Sequence, residues 1–279
     1  MTRSPKSSSD TANVLPTTSS THTLSHSAAT LPPRTHRKTR HHLAKPWNNL
    51  SLHVAILFTL GSIAWVYNGV ETEFPRSDRA DTKAMWGAFA GGWLFQLGAI
   101  VTLIEASNTA HEAPTDDPKT LAVIRKAGTR REETYLTLEH WFHPGQRSTG
   151  WTASAVQLAA ASIFTVSVVT GIPFEIYGMS RPLAIVIFWL PQVLGGSGFV
   201  IASLIYMKEV GFAKLNAIGW WVAFWNLIGA AGFLLCGLFG IWDWDTSSWA
   251  ESASSVNNFY GGIAFLIGSI LQTIEVLNT

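Results

Sequence analysis

Six apolar stretches, near residues 50–67, 84–105, 151–172, 183–207, 218–241 and 258–277, constrain this 279-residue chain more than any other feature. Each runs to roughly 18–25 residues, and at about 1.5 Å per residue a helix of that length crosses a hydrocarbon core of about 30 Å. A transmembrane strand needs only about 10 residues and alternates apolar with polar side chains, and no such alternation is present. In lipid the backbone has no water to bond to, so a spanning segment must satisfy its own N–H and C=O groups, as a helix does. The expected fold is therefore all-α: a polytopic integral membrane protein with six transmembrane helices. Charged residues make up only 13 % of the chain and hydrophobic ones 47 %, whereas a soluble domain carries about 25 % charge, which excludes an ordinary soluble fold.

Residues 1–46 contrast with the rest. They hold 17 Ser/Thr and five Pro, too little apolar surface to offset the entropy of ordering, and are expected to form a disordered tail. No apolar segment of the signal-peptide kind lies near Met1, so the first span is expected to act as the insertion signal. The net charge is only +1, but 15 of the 19 Lys/Arg fall in the tail, in 106–150 and in 208–217, with 4 in the other loops. The positive-inside rule then places both termini in the cytoplasm, with a plasma membrane or endomembrane favoured. The Asn49-Leu50-Ser51 sequon would be cytoplasmic and unglycosylated. Trp47, Trp86, Trp141, Trp151, Trp220, Trp242 and Trp244 fall near span ends, where an interfacial belt is expected. The basic residues Arg34, Arg37, Lys38, Arg40 and Lys45 precede the first span, so anionic lipid is the expected partner there rather than nucleic acid. Cys236 is the single cysteine, and no disulfide can form within one chain.

The spans resemble one another. At an offset of 170, Gly91, Gly92, Phe95, Gly98 and Glu105 of the second fall on Gly261, Gly262, Phe265, Gly268 and Glu275 of the sixth. At an offset of 104, Gly195, Gly196, Phe199 and Glu209 of the fourth fall on Gly91, Gly92, Phe95 and Glu105. Trp151, Gln157 and Phe164 fall on Trp220, Asn226 and Phe233 at an offset of 69. These registers predict three tandem helical hairpins of one orientation: 47–108, then a cytoplasmic loop at 109–150, then 151–210 and 211–279. The phrase Gly92-Trp93-Leu94-Phe95-Gln96-Leu97-Gly98, with its counterpart Gly262-Ile263-Ala264-Phe265-Leu266-Ile267-Gly268-Ser269, resembles the G-x-x-F-x-x-G-S signature of YrhK-like domains. Those are two-helix membrane hairpins, and fungal integral membrane proteins of unknown function resemble several in tandem. The middle hairpin departs from the signature, with Ala202 in place of the second glycine. The resemblance implies the hairpin architecture and brings no catalytic residue.

Among polar groups, Glu105, Glu209 and Glu275 stand out, each at the cytoplasmic end of an even-numbered span. A carboxylate in hydrocarbon costs several kcal/mol, which makes the trio a candidate ion site. A negative charge at a helix C-terminus also opposes the helix dipole, so a compensating partner is expected, such as Lys208 or an Arg of the 125–131 cluster. Gln96, Gln157 and Asn226 are candidate lining residues of a polar path, or else hydrogen bonds between helices. Pro191 predicts a kink in the fourth span, relaxed at Gly195 and Gly196. Asp243, Asp245 and Glu251 lack the spacing of a calcium loop and read as a solvated turn. No H-E-x-x-H, G-x-S-x-G, Walker-loop or dinucleotide-binding signature is present in its required context, and no cofactor, metal or enzymatic role is expected. The leading functional expectation is a non-enzymatic scaffold or regulatory membrane component that binds a protein partner or a second copy. The alternative is a transporter or channel for a small solute or ion using Glu105, Glu209 and Glu275.

Overall fold

A computed structural model of the protein describes residues 49–109, 148–172, 178–242 and 248–278, all within one compact unit. Every regular element among them is a helix: α1 (Leu50–Glu73), α2 (Ala80–Thr109), α3 (Thr149–Thr170), α4 (Arg181–Val210), α5 (Ile218–Trp242) and α6 (Ser248–Asn278). All six are long and apolar enough to cross a membrane. The protein is thus an all-α chain with six membrane-spanning helices. The basic residues Arg34, Arg37, Lys38, Arg40 and Lys45, with Trp47, Trp141 and Trp244, lie outside the described residues.

The helix ends follow from local chemistry. Asn49 caps α1, its side chain accepting from the Leu52 N–H at 3.4 Å, so the sequon asparagine has a role within the fold. α1 then continues past its apolar stretch to Glu73 and stops at Phe74, which is non-helical because Pro75 follows. α6 likewise starts at Ser248, before the apolar run at 258. Both extensions correct the sequence boundaries. Nothing in these turns breaks a helix, and their polar side chains face an internal cavity described below.

In α4 the expected kink takes the form of a π-helical turn, Ile185–Trp189, between Arg181–Ala184 and Leu190–Val210. Pro191 has no N–H to give the Ile187 carbonyl one turn back, and the Thr170 hydroxyl of α3 lies 2.9 Å from that oxygen. Gly195 and Gly196 do not relax the kink, as the sequence suggested. Instead they let neighbouring helices approach.

Chain order is also packing order. Each helix touches the next, and α6 closes back on α1 to complete a ring. Glycines set its tightness. A Cβ at Gly91, Gly195 or Gly261 would lie 2.7 Å from Trp65, Phe164 or Phe233, the large aromatic of the preceding helix. A Cβ on the adjacent glycine would instead strike the next pair of helices: 2.9 Å from Val168 for Gly92, 2.8 Å from Leu234 for Gly196 and 3.2 Å from Trp65 for Gly262. One glycine of each couple therefore seats its helix against the preceding one, and the other seats it against the following one in the ring.

The aromatics so admitted fill the ring in two tiers. Trp65 meets Phe164 and Phe233 edge-on at 5.7 and 4.8 Å, and those two rings stack at 5.4 Å. Phe265 meets Phe95 and Phe199 at 5.2 and 6.3 Å in the second tier, and Phe233 at 5.1 Å between tiers. All six are nearly inaccessible, Phe233 completely so. The outward faces are apolar too, with Leu60, Ile63, Val166, Ile201 and Ile228 exposed, as a lipid-facing surface requires.

Candidate functional site: two vestibules and an aromatic plug

The aromatic tiers divide the interior into two cavities. At the near end, where α1, α3 and α5 begin, a cavity of about 390 Å³ is lined by Glu105, Glu209, Glu275, Gln157, Asn226 and Tyr206, among others. A small continuation of about 30 Å³, room for roughly one water, runs from Gln157, Asn226 and Tyr206 up to Phe95, Phe199 and Phe265. At the far end a cavity of about 450 Å³ runs from Glu73, Glu251 and Ser252 down to Trp65 and Phe164. The plug between them is thus no thicker than two layers of rings.

Each near-end carboxylate sits against the second residue of the helix that precedes it. Ser51 Oγ of α1 donates to Glu105. A Cβ at Gly150 of α3 would lie 2.6 Å from Glu209 Oε1, and one at Gly219 of α5 would lie 3.1 Å from Glu275 Oε1. Gly150 and Gly219 are 69 residues apart, the offset that places Trp151 on Trp220. Helix N-termini carry positive partial charge and unpaired N–H groups, so each carboxylate, though at the wrong end of its own helix, is compensated by the start of its neighbour. The partners proposed from sequence are different ones: Lys208 is exposed with no ion pair among the described residues, and the 125–131 cluster lies outside them. Ser154 Oγ and the Tyr206 hydroxyl are 2.9 Å apart in the same wall, and the Trp151 indole donates to Ser107 Oγ at 3.1 Å beside it.

Of the six candidate lining residues, five share this cavity and one does not. Gln96 lies on the rim between α2 and α3, where its amide nitrogen donates to Ser162 Oγ at 3.0 Å. It joins two helices and lines neither cavity.

The far vestibule has no counterpart in the sequence reading. Its floor is a satisfied polar network. Asn258 Nδ2 donates to Asn68 Oδ1 at 2.6 Å, and Asn68 Nδ2 to the Ala84 carbonyl at 2.7 Å. Gln192, only 5 % exposed, points Nε2 at Cys236 Sγ at 2.9 Å, and Ser254 donates to the Cys236 carbonyl at 2.9 Å. Its walls include Trp65, Phe164, Phe188, Trp189 and Phe239. At the mouth stand Glu73 of α1 and Glu251 of α6, and Glu73 Oε1 is buried without a hydrogen-bond partner among the described residues. Glu251 was assigned to a solvated turn from sequence, and Glu73 lay past the end of an apolar run. For Glu251 the available signal was helical spacing, since it lies seven residues before Asn258 and so shares its face, whereas Glu73, five residues after Asn68, offered no such signal. No group of His, Cys, Asp and Glu suited to a metal ion occurs among the described residues.

No family model matches the chain, and neither a curated protein nor a solved structure is similar to it.

Proposed function

We propose that the chain is a conduit for a small hydrophilic solute or cation, closed in this conformation by its aromatic plug. The observation that carries this reading is a pair of cavities with carboxylates and amides in their linings, one at each end of the helix ring, separated by two tiers of aromatic rings. A bundle that needed only to be stable has no use for two such cavities, since unfilled interior forfeits packing contacts. In this reading three tandem hairpins of the YrhK-like kind form the ring, and the near end faces the cytoplasm of a plasma membrane or endomembrane with both termini, as the Lys/Arg distribution favours. Acidic linings disfavour anions, and a conduit makes and breaks no covalent bond, so the proposed role is non-enzymatic. The basic tail serves anionic lipid at the cytoplasmic face.

The second reading is a scaffold or regulatory component that binds a protein partner or a second copy. It is supported by the docking of each carboxylate onto a helix start, which leaves the glutamate trio needing no ligand. Flux in vesicles separates the two. Full-length protein reconstituted in liposomes should pass small cations slowly, and Phe164→Ala, which thins the plug, should pass them at least roughly tenfold faster. If neither protein passes sodium, potassium, ammonium or a neutral polyol, the conduit falls and the scaffold reading stands.

A further inference from the structure

We infer that the far vestibule is a recognition site for a small organic ammonium ion, borne by a free solute or by a lipid headgroup. The inference deepens the conduit reading by naming a solute class, yet binding can be tested without flux.

Three features of the cavity select this chemistry. The first is sign. Glu73 and Glu251 stand at the mouth, and no Lys, Arg or His among the described residues lines the cavity. A buried carboxylate oxygen with no donor, such as Glu73 Oε1, is costly, and an incoming cation that donates to it or sits beside it recovers that cost. The second is the wall. Trp65, Phe164, Phe188, Trp189 and Phe239 present aromatic surface, and the negative faces of such rings attract a poorly hydrated organic cation. A hydrated metal ion wants the opposite, a dense shell of oxygen ligands, and the two carboxylates come from different helices without a third. The third is size and floor. About 450 Å³ lies in the range of small-molecule sites. The amides of Asn68, Asn258 and Gln192 are tied to one another, to Cys236 and to backbone, so the floor is a fixed polar surface. It suits a hydroxyl or ester attached to the ammonium group.

The near vestibule is acidic as well, but its carboxylates face helix starts, and among the described residues the far one alone combines a buried undonated carboxylate oxygen with aromatic walls.

The test uses the full chain purified in maltoside micelles free of choline lipids. Choline is titrated calorimetrically against 3,3-dimethyl-1-butanol, which has the same shape without the charge, at constant ionic strength. Choline should bind at least roughly tenfold more tightly than the neutral isostere, the ratio expected of a desolvated cation against rings and a carboxylate. Glu73→Gln should weaken choline about tenfold and leave the isostere unchanged. Phe239→Leu serves as the second variant if Glu73→Gln fails to fold, and it should weaken choline without affecting the isostere. A parallel arm reconstitutes the chain in nanodiscs of mixed phosphatidylcholine and phosphatidylglycerol and measures the lipid retained on extraction. Choline binding in micelles identifies a free solute. Phosphatidylcholine retained by the wild type and lost in Glu73→Gln, without choline binding, identifies the headgroup. The inference is overturned if the isostere binds as well as choline, if Glu73→Gln leaves both arms unchanged, or if neither arm shows an ammonium species. Since occupancy and flux are read separately, choline binding without flux would retire the conduit alone, and flux with neither choline binding nor retained phosphatidylcholine would retire this site alone.

Discussion

The two vestibules are both lined by carboxylates, but they hold them differently. At the near end three glutamates at matching positions of α2, α4 and α6 each meet the second residue of the preceding helix. At the far end Glu251 of α6 falls on Asp81 of α2 at the offset of 170, but Glu73 of α1 falls on Ile172 and Ile241 when Trp65 is set on Phe164 and Phe233, and Glu73 Oε1 has no donor among the described residues. What recurs on α2, α4 and α6 meets a need those three helices share, namely offsetting a charge placed at the wrong end of its own helix. What occurs once answers to something outside the folding of the hairpin. The repeated near-end glutamates belong to architecture, and the unrepeated Glu73 to recognition.

The largest expected effect comes from removing the barrier between the two regions. Phe233 is fully buried and touches Trp65, Phe164 and Phe265. Phe233→Ala should merge the cavities and destabilise the bundle. Core Phe→Ala changes cost about 3–5 kcal/mol in soluble proteins. In lipid the surroundings are as apolar as the core, so only the packing part applies and the cost should fall below that range. Thermal unfolding in micelles checks the stability, and cation leak in liposomes checks the merger.

Next in size is the glycine contact between α4 and α5. A Cβ at Gly196 would lie 2.8 Å from the Leu234 Cα, a backbone atom that cannot swing aside. Gly196→Ala should therefore push two hairpins apart and cost about 1–3 kcal/mol. Gly178, with nothing within 4 Å of its added Cβ, is the control, and Gly178→Ala should leave the melting temperature unchanged. A similar drop in both variants would show that glycine flexibility, and not close approach, matters at 196.

These positions also show how much of the molecule was legible. Length and apolarity located six spans, because a membrane demands both and little else. The Gly-Gly-x-x-Phe register singled out the residues that meet the ring's aromatics, since close approach requires the same small residue wherever it occurs. The trio Glu105, Glu209 and Glu275 was visible for the same reason. Its partners were not: Ser51, Gly150 and Gly219 carry no charge, and a helix start acts through backbone groups that every residue shares. For Gln96 the sequence left open a polar path or a hydrogen bond between helices, because its depth along α2 can be read from sequence, whereas its rotation toward Ser162 of α3 depends on how the helices pack. Glu73 and Glu251 were missed because the reading stopped where apolarity stopped, although the helices continue beside a polar cavity.

A paired substitution sharpens the contrast between the two ends. Glu209→Gln keeps the shape of the side chain and removes the charge that faces the start of α3, a loss of at most about 0.3–1 kcal/mol for an exposed group. The melting temperature should fall slightly, and more in the triple variant Glu105→Gln, Glu209→Gln, Glu275→Gln. Glu73→Gln removes a carboxylate with an undonated buried oxygen, so the melting temperature without ligand should hold or rise. The same sign at both ends would erase the distinction drawn between them.

The smallest effect is expected at the residue that belongs to neither region. The Gln96 amide joins α2 to α3 through Ser162, and hydrogen bonds of that kind average about 0.6 kcal/mol in membrane proteins. Gln96→Ala should therefore lower stability by no more than about that amount and leave both flux and choline binding intact. Thiol labelling makes the point independently of energy. With Cys236→Ser as background, Asn226→Cys lines the near cavity and should react with small hydrophilic reagents, whereas Gln96→Cys faces the rim between two helices and should not. Water reaches the first position through the cavity and meets lipid and packed side chains at the second. Labelling at 96 would place water on the outside of the ring, and the division of the interior into two vestibules would then no longer describe where this bundle is wet.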